Sequence, residues 1–353
     1  MNTINTTDSK NITTLLAAWP VAHPQEITPM AGGTNNRIWL IQTEDEQELV
    51  LRIVPGQHSL ARIQHEDHLL TALHAQQLPF ALPLLIKTHD SAIALPLTEQ
   101  EGKGTQSWAT LTTRLPGELV DRPPQRHNLL LAHAAGTTLA LLDAGLAKLP
   151  LADFQAPEVT TFGDLAHCHP LVPDPLIAIE QLPIDREQRK QLQSQFSSII
   201  EQTEKLYEEL PQQILHRDYD PGNVLVKDNR ITAVLDFDFS GVDIRIFDLS
   251  IALSWWPYGT TGTEREWEII DTFGAAYIAQ LPLSAAELQA IPDVMRLRDA
   301  VSFVHRTGRY LAGLETDAVI RDRVQHSFWR EAWLTNNRSK LLQHIARWNS
   351  NKA

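Results

Sequence analysis

From Ile214 to Phe239 the chain reads as two apolar runs with polar residues packed around them. The first run carries His216, Arg217, Asp218, Tyr219, Asp220, Pro221, Gly222 and Asn223 before Val224-Leu225-Val226; the second, Ile231 to Leu235, ends in Asp236, Phe237, Asp238 and Phe239. Between them lies a four-residue polar turn, Lys227 to Arg230, which signals a β-hairpin. Folding about Asp228 and Asn229 sets Asp236 opposite Pro221, one or two positions from Asn223. Cross-strand neighbours lie about 5 Å apart, so Asn223 and Asp236 can reach one ion, with Asp218 at the mouth of the same loop. Such oxygen ligands suit Mg²⁺, which binds through one or two carboxylates together with substrate phosphates. A calcium loop fits poorly, because Gly222 falls at loop position five where six is wanted, and Asn229 stands where Glu is needed. Simple turn formation accounts for Asp, Pro, Gly and Asn in the loop. It does not account for Val234-Leu235 running straight into two carboxylates, which need a cation or donors when packed.

The rest of the chain narrows the class. Its 353 residues suggest roughly two domains, and 43% hydrophobic content with 21% charged residues argues against whole-chain disorder. A net charge of −13 disfavours duplex nucleic acid, which needs clustered Lys and Arg. One cysteine, Cys168, cannot form an internal disulfide, which points to a reducing compartment. The run His167-Cys168-His169 suggests a metal, but adjacent residues rarely converge on one ion and no second Cys/His pair lies nearby, so no zinc site is expected. The amino terminus shows no apolar signal-peptide core, and the stretch Leu129 to Leu142 ends at Asp143, short of a bilayer span. A soluble cytoplasmic protein with no membrane partner is expected.

Along the chain, a helix is expected near Asn11 to Trp19. Strands are expected at Ile27–Met30, Arg37–Gln42, Glu48–Val54, Ile93–Leu97 and Trp108–Thr113, with a helix from Ala61 to Gln77. After Pro116-Gly117 the text turns helical: Asn128–Leu146, Asp185–Leu210, Ile246–Trp256, Glu264–Ile278 and segments from Ala285 onward. The expectation is a sheet-rich lobe over residues 1–115 and a larger helical lobe over 116–353.

His216-Arg217-Asp218, four residues, then Asn223, with Asp236 thirteen residues later, resembles the catalytic-loop and metal-aspartate pattern of protein-kinase-like phosphotransferases. The details look most like the aminoglycoside phosphotransferase/choline kinase family. Leu235 to Phe239 and Phe247 to Trp256 are similar to its homoserine kinase type II branch. The resemblance covers nearly the whole chain. It implies an α+β bilobal protein-kinase-like fold, with a small antiparallel-sheet lobe holding one main helix and a larger, mostly helical lobe. It also implies ATP and Mg²⁺ as cofactors and a small-molecule hydroxyl acceptor.

Under that resemblance Asp218 would orient the acceptor hydroxyl and take its proton, and Asn223 and Asp236 would hold Mg²⁺. Gly32, Gly33, Thr34 and Asn35 resemble a phosphate-covering loop, although a plain hairpin turn reads the same way. Arg52 is a charge inside an apolar strand, and Glu66 lies on the apolar helix face with Ile63, Leu70 and Leu73. Pairing them relieves both; the alternative is an exposed Arg62–Glu66 pair. The resemblance places Arg52 where the family has a strand lysine, on the ATP phosphates, and sets the adenine near Thr113 to Leu115, with Arg114 at the hinge. His216 would support the loop, Arg217 would make a structural contact, and Asp248 would cap a helix or anchor the loop. Asp238 would be a second metal ligand or an acceptor contact.

Only eleven residues separate Asp236 from Asp248, and no Ala-Pro-Glu triplet follows. That is too little for a protein kinase's activation segment, so a small acceptor is favoured. Asp220, Asp238 or Asp243 could hold an acceptor ammonium, and Arg306 or Arg309 a carboxylate. Trp255 and Trp256 are read as core packing before ligand cage. From His216 to Asp248 seven aspartates face four basic residues, which favours a cationic acceptor. A stress-type Ser/Thr protein kinase and a catalytically silent nucleotide-binding module are the alternatives.

Overall fold

The computed structural model describes residues 9–30, 36–54, 60–98, 106–120, 127–156 and 160–348. The chain divides into two units, residues 1–118 with 232–238, and residues 119–231 with 239–353. Asp236 and Asp238 therefore belong to the unit of Arg52, and Asp218 and Asn223 to the other.

The first unit runs α1 (Ser9–Leu16), β1 (Pro24–Met30), β2 (Arg37–Thr43), β3 (Glu48–Val54), α2 (Leu60–His74), β4 (Leu95–Thr98) and β5 (Gln106–Thr113). Its sheet has the order β1-β2-β3-β5-β4 and is antiparallel throughout. Alternation along β3 decides which residues are buried: Leu49, Leu51 and Ile53 enter the core with Trp19, Trp39, Ile41 and Leu111. By the same period Arg52 points off the opposite face. Each fully buried leucine there contributes about 1.5–3 kcal/mol. Helix α2 buries Ile63, Glu66, Leu69, Leu70 and Leu73, and ends three residues before the expected Gln77, which takes a left-handed φ of 56°. Residues 232–238 join this unit through backbone bonds at Ala81, which donates to Thr232 O (2.8 Å) and accepts from the Val234 N–H (3.2 Å).

A two-residue strand, β6 (Glu118–Leu119), precedes the second unit. That unit contains α3 (Leu129–Leu146), α4 (Pro175–Glu180), α5 (Arg186–Glu209), β7 (Gln212–Leu215) and β8 (Val224–Lys227). The chain returns to the first unit within β9 (Arg230–Val234). It then forms β10 (Gly241–Ile244), α6 (Phe247–Trp255), α7 (Glu264–Gln280), α8 (Ala285–Leu311) and α9 (Asp317–Arg347). Side-chain caps set several starts: Asn128 accepts from the Leu131 N–H, and Asp185 and Ser284 form capping boxes with Gln188 and Glu287. Each cap is worth about 1 kcal/mol. Asp228 and Asn229 both take left-handed φ (51° and 59°), as a two-residue hairpin turn requires.

Helix α3 is the one helix among the described residues long and apolar enough to cross a bilayer, and 61% of it is buried. It packs along α7. Gly136 permits the approach, since a Cβ there would lie 2.3 Å from the Phe273 carbonyl oxygen. Asp143, read from sequence as the polar end of an apolar stretch, sits fully buried inside this helix. The short helix α4 and the antiparallel pairing of β7 with β10 were not foreseen. Leu215 lies opposite Gly241 and Gln213 opposite Asp243, so this pair holds both ends of the segment that contains the motif.

Candidate active site

The loop after β7 is fixed from behind. Asp248, in the first turn of α6, accepts the backbone N–H groups of His216 (2.8 Å) and Arg217 (2.7 Å). It is thus the loop anchor and not a helix cap. His216 is fully buried and its Nδ1 accepts the Asp218 N–H at 3.2 Å, which sets the approach of the next residue. Arg217 takes a left-handed φ of 65°, a strained conformation for a side chain of that size. Its guanidinium holds the strain: Nε donates to Phe239 O (2.6 Å), and Nη1 to Thr160 O (2.8 Å) and Asp243 (3.3 Å). It also lies 4.4 Å over the Phe162 ring.

On this platform Asp218 is only partly buried. Its Oδ2 accepts from Asn223 Nδ2 at 2.9 Å, and its Oδ1 faces Arg298 Nη2 at 3.4 Å. Because Asn223 Nδ2 also donates to Asp218 O (2.8 Å), the amide is oriented with Oδ1 as its remaining ligand atom. Asp218 and Asn223 are thus brought together as expected from their spacing.

Behind Asp248 lies a second acid. Asp143 hydrogen-bonds to it, and Asp143 Oδ2 accepts from the Tyr277 hydroxyl (2.7 Å). Asp143 Oδ1 is buried with no donor facing it. Protonation resolves this, since a neutral carboxyl can donate to Asp248. Burial, with Asp248 beside it, holds the Asp143 carboxyl well above the carboxylate range. Burial also pushes Asp248 up to about 7, against the pull of its two backbone donors.

In the first unit Arg52 is bracketed by two acids, Glu66 at 2.6 Å and Asp238 at 2.9 Å. Burial works against the arginine's charge, but Glu66 and Asp238 outweigh it and hold its pKa above the ordinary value. Burial raises Glu66, with Arg52 opposing. Arg62, the alternative partner for Glu66, donates instead to the Asp238 carbonyl (2.7 Å). Asn36 Nδ2 lies 3.4 Å from Asp238. Asp236 is half-buried with a left-handed φ of 62°, beside the buried Phe237.

Several expectations change. Asp238 pairs with Arg52 through one carboxylate oxygen and faces Asn36 with the other. Asp243 is fully buried and taken by Arg217, Tyr207 and the Phe162 N–H, so it cannot meet an acceptor ammonium. Asp220 is also buried and accepts from the Gly222 N–H within its own turn. Arg306 and Arg309 both pair with Glu315. Arg114 donates its backbone N–H to the Glu48 carbonyl (2.8 Å) and its Nη1 to the Glu48 carboxylate (3.0 Å). Trp256 is core, packed near Tyr219 and Phe273, while Trp255 lines a small pocket. Gly32, Gly33, Thr34 and Asn35 lie outside the described residues. Among the described residues no three His, Cys, Asp or Glu side chains gather as a metal site, around Cys168 or elsewhere.

The profile of the phosphotransferase enzyme family, APH, matches residues 26–313. The chain belongs to this family. This phosphotransferase is 26% identical over 286 residues to homoserine kinase of Phenylobacterium zucineum (strain HLK1), covering 79% of this chain and 78% of that one. It is 28% identical over 281 residues to homoserine kinase of Polaromonas naphthalenivorans (strain CJ2), covering 77% and 78%. Among solved structures it is similar to amicoumacin kinase hAmiN in complex with AMP-PNP, Ca²⁺ and Ami, with a TM-score of 0.68, 16% identity and 94% of each chain covered. It is likewise similar to a microcompartment-associated aminopropanol kinase, with a TM-score of 0.65, 15% identity, and 96% and 100% covered. These likenesses give the phosphotransferase a kinase-like α+β fold.

Sequence reasoning missed Asp143 and Arg298. The phosphotransferase's Arg298, Ser302 and His305 recur at helical spacing on α8, a signal for one shared face that had been overlooked.

Proposed function

We propose that this phosphotransferase moves the γ-phosphate of ATP, with Mg²⁺, onto a hydroxyl of a small molecule: an amino alcohol such as homoserine, or an amino sugar. The observation that carries the reading is Asp218, a partly exposed carboxylate aligned by Asn223 at 2.9 Å on a loop anchored by Asp248. A positioned carboxylate beside an acceptor hydroxyl is what general-base assistance needs. The acceptor oxygen would bond to the γ-phosphorus as the bond from that phosphorus to the leaving ADP oxygen breaks, with the hydroxyl proton passing to Asp218.

Asn223 Oδ1 and the Asp236 carboxylate are hard oxygen donors of the kind Mg²⁺ accepts alongside phosphates and water. When bound, the ion would neutralise charge on the transferring group. In the first unit Arg52, oriented by Glu66 and Asp238, would meet phosphate oxygens through its fork of donors. Gly32 to Asn35 would cover the phosphates. The homoserine kinase relatives and the eleven residues between Asp236 and Asp248 favour a small acceptor over a protein.

A Mg²⁺-ATP consumption screen over homoserine, choline, ethanolamine, methylthioribose and aminoglycosides tests the reading, with Asp218→Asn as control. The variant should lose about 10²–10⁴ in kcat while keeping nucleotide affinity. Equal ATP consumption by the two proteins with every acceptor would overturn it.

A further inference from the structure

Arg62, in the first turn of α2, has a role that its spacing does not announce. Glu66 stands four residues on, the ordinary place for a helix-surface partner, but Glu66 is paired with Arg52 at 2.6 Å. The partly buried Arg62 sends Nη2 to the Asp238 carbonyl oxygen at 2.7 Å. Helix α2 therefore holds the segment after β9 in two ways. One runs through side chains, from Glu66 to Arg52 and on to Asp238 Oδ1. The other ends on main chain, through Arg62 alone.

That segment carries Asp236, whose left-handed φ of 62° puts strain into the backbone. Strain of this kind persists only where the surroundings over-determine it. Buried Phe237 supplies one restraint. The side-chain route is a poor second, because the charges of Glu66, Asp238 and Asp236 all act on the single Arg52 guanidinium. Carboxylates that share one cation repel each other. Phosphate oxygens arriving at Arg52 would also compete with Asp238 for its donors, and the side-chain tether would weaken as the nucleotide binds. The bond from Arg62 has no such competitor. It ends on a carbonyl two residues beyond Asp236 and persists when Arg52 is drawn to phosphate.

We propose that Arg62 is a positioning residue for Asp236: by gripping the Asp238 carbonyl it fixes the backbone that aims the Asp236 carboxylate, and so sets the affinity for Mg²⁺ without itself touching metal, nucleotide or acceptor. The inference rests on the reading of Asp236 as a Mg²⁺ ligand.

Calorimetric binding of AMP-PNP, with and without Mg²⁺, tests it apart from turnover. In Arg62→Met the metal-free affinity should stay within about twofold of wild type. The Mg²⁺ concentration that half-saturates the nucleotide complex should rise about 10–100-fold, the worth of a charge-assisted hydrogen bond. Arg62→Lys keeps a charged donor and should recover most of that shift. In turnover, kcat at saturating Mg²⁺ should fall no more than about threefold in Arg62→Met, so that the loss appears in the metal requirement. With neither metal nor nucleotide present, the amides of Phe237 and Asp238 should exchange about 10-fold faster in Arg62→Met than in wild type.

Weaker binding of metal-free AMP-PNP in Arg62→Met would make Arg62 a phosphate contact and overturn the inference. An unchanged Mg²⁺ requirement, or a lysine variant indistinguishable from the methionine one, overturns it too. If no alcohol is phosphorylated yet Arg62→Met still raises the Mg²⁺ requirement for AMP-PNP, the positioning role stands and the phosphotransfer reading falls. A wild type that phosphorylates an alcohol with the same Mg²⁺ requirement as Arg62→Met overturns the positioning role alone.

Discussion

Arg52 in the first unit and Arg217 in the second each sit against acidic side chains, but their partners differ in kind. Arg217 divides its donors between two backbone carbonyls and one carboxylate, and its ion pair with Asp243 has no exposed side-chain surface. Arg52 faces two carboxylates, with 16% of its own side chain exposed. A guanidinium that grips backbone fixes where a loop runs. One that gathers carboxylates at a partly open edge leaves the backbone free of it, and under the proposed function is held in shape for phosphate. Residue type and local charge look alike in the two places. The distinction lies in whether the donors end on main chain or on side chains.

The largest effect should come from Arg217→Met. Breaking a fully buried pair leaves Asp243 uncompensated, and unfolding free energy should fall by about 3–5 kcal/mol, read by denaturant titration or Tm. Arg52→Met should lose less stability, since Glu66 or Asp238 near the edge can take up a proton. It should lower kcat/KM for the nucleotide by about 10–100-fold. Equal stability losses in the two variants, with nucleotide kinetics unchanged in Arg52→Met, would remove the contrast.

A subtler effect belongs to a third pairing, Asp143 with Asp248, which is acid against acid. Both carboxyls are raised above the ordinary value of 3.8, Asp248 to about 7. Between those values the folded chain binds more protons than the unfolded one. This contribution to stability is therefore complete below about pH 4 and is lost as pH rises through 7. Asp143→Asn keeps a donor for Asp248 and an acceptor for Tyr277 but cannot ionise, so it should flatten that part of the stability–pH profile. A wild-type profile flat between pH 5 and 8 would remove the shared proton.

What could be read from the residues follows from how local each signal is. Strand β3 and its alternation, and the helix starts at Asn128 and Asp185, are set by neighbours along the chain. Arg52 with Glu66 was readable at longer range because each is conspicuous alone, a charge in an apolar strand and an acid on an apolar helix face. Asp143 was not, because a polar residue closing an apolar stretch looks like its boundary. Only its burial and the approach of Asp248 raise its pKa above the carboxylate range. Arg298 lies on a long helix rich in charge, where an arginine reads as solvated surface. The pairing of Asp238 was not readable, because spacing places it near the metal aspartate but says nothing of Arg52, 186 residues away.

That distance bears on how the protein is made. The first unit is closed by Thr232–Asp238, so no amino-terminal fragment ending earlier contains Asp238 to face Arg52. A ribosome releases the sheet strands long before it releases that segment. More than a hundred residues of the other unit emerge between the sheet strands and that segment, so of its two acids Arg52 has only Glu66 on the chain until then. Dividing the gene at the apparent lobe boundary would strand the last piece of one half on the other.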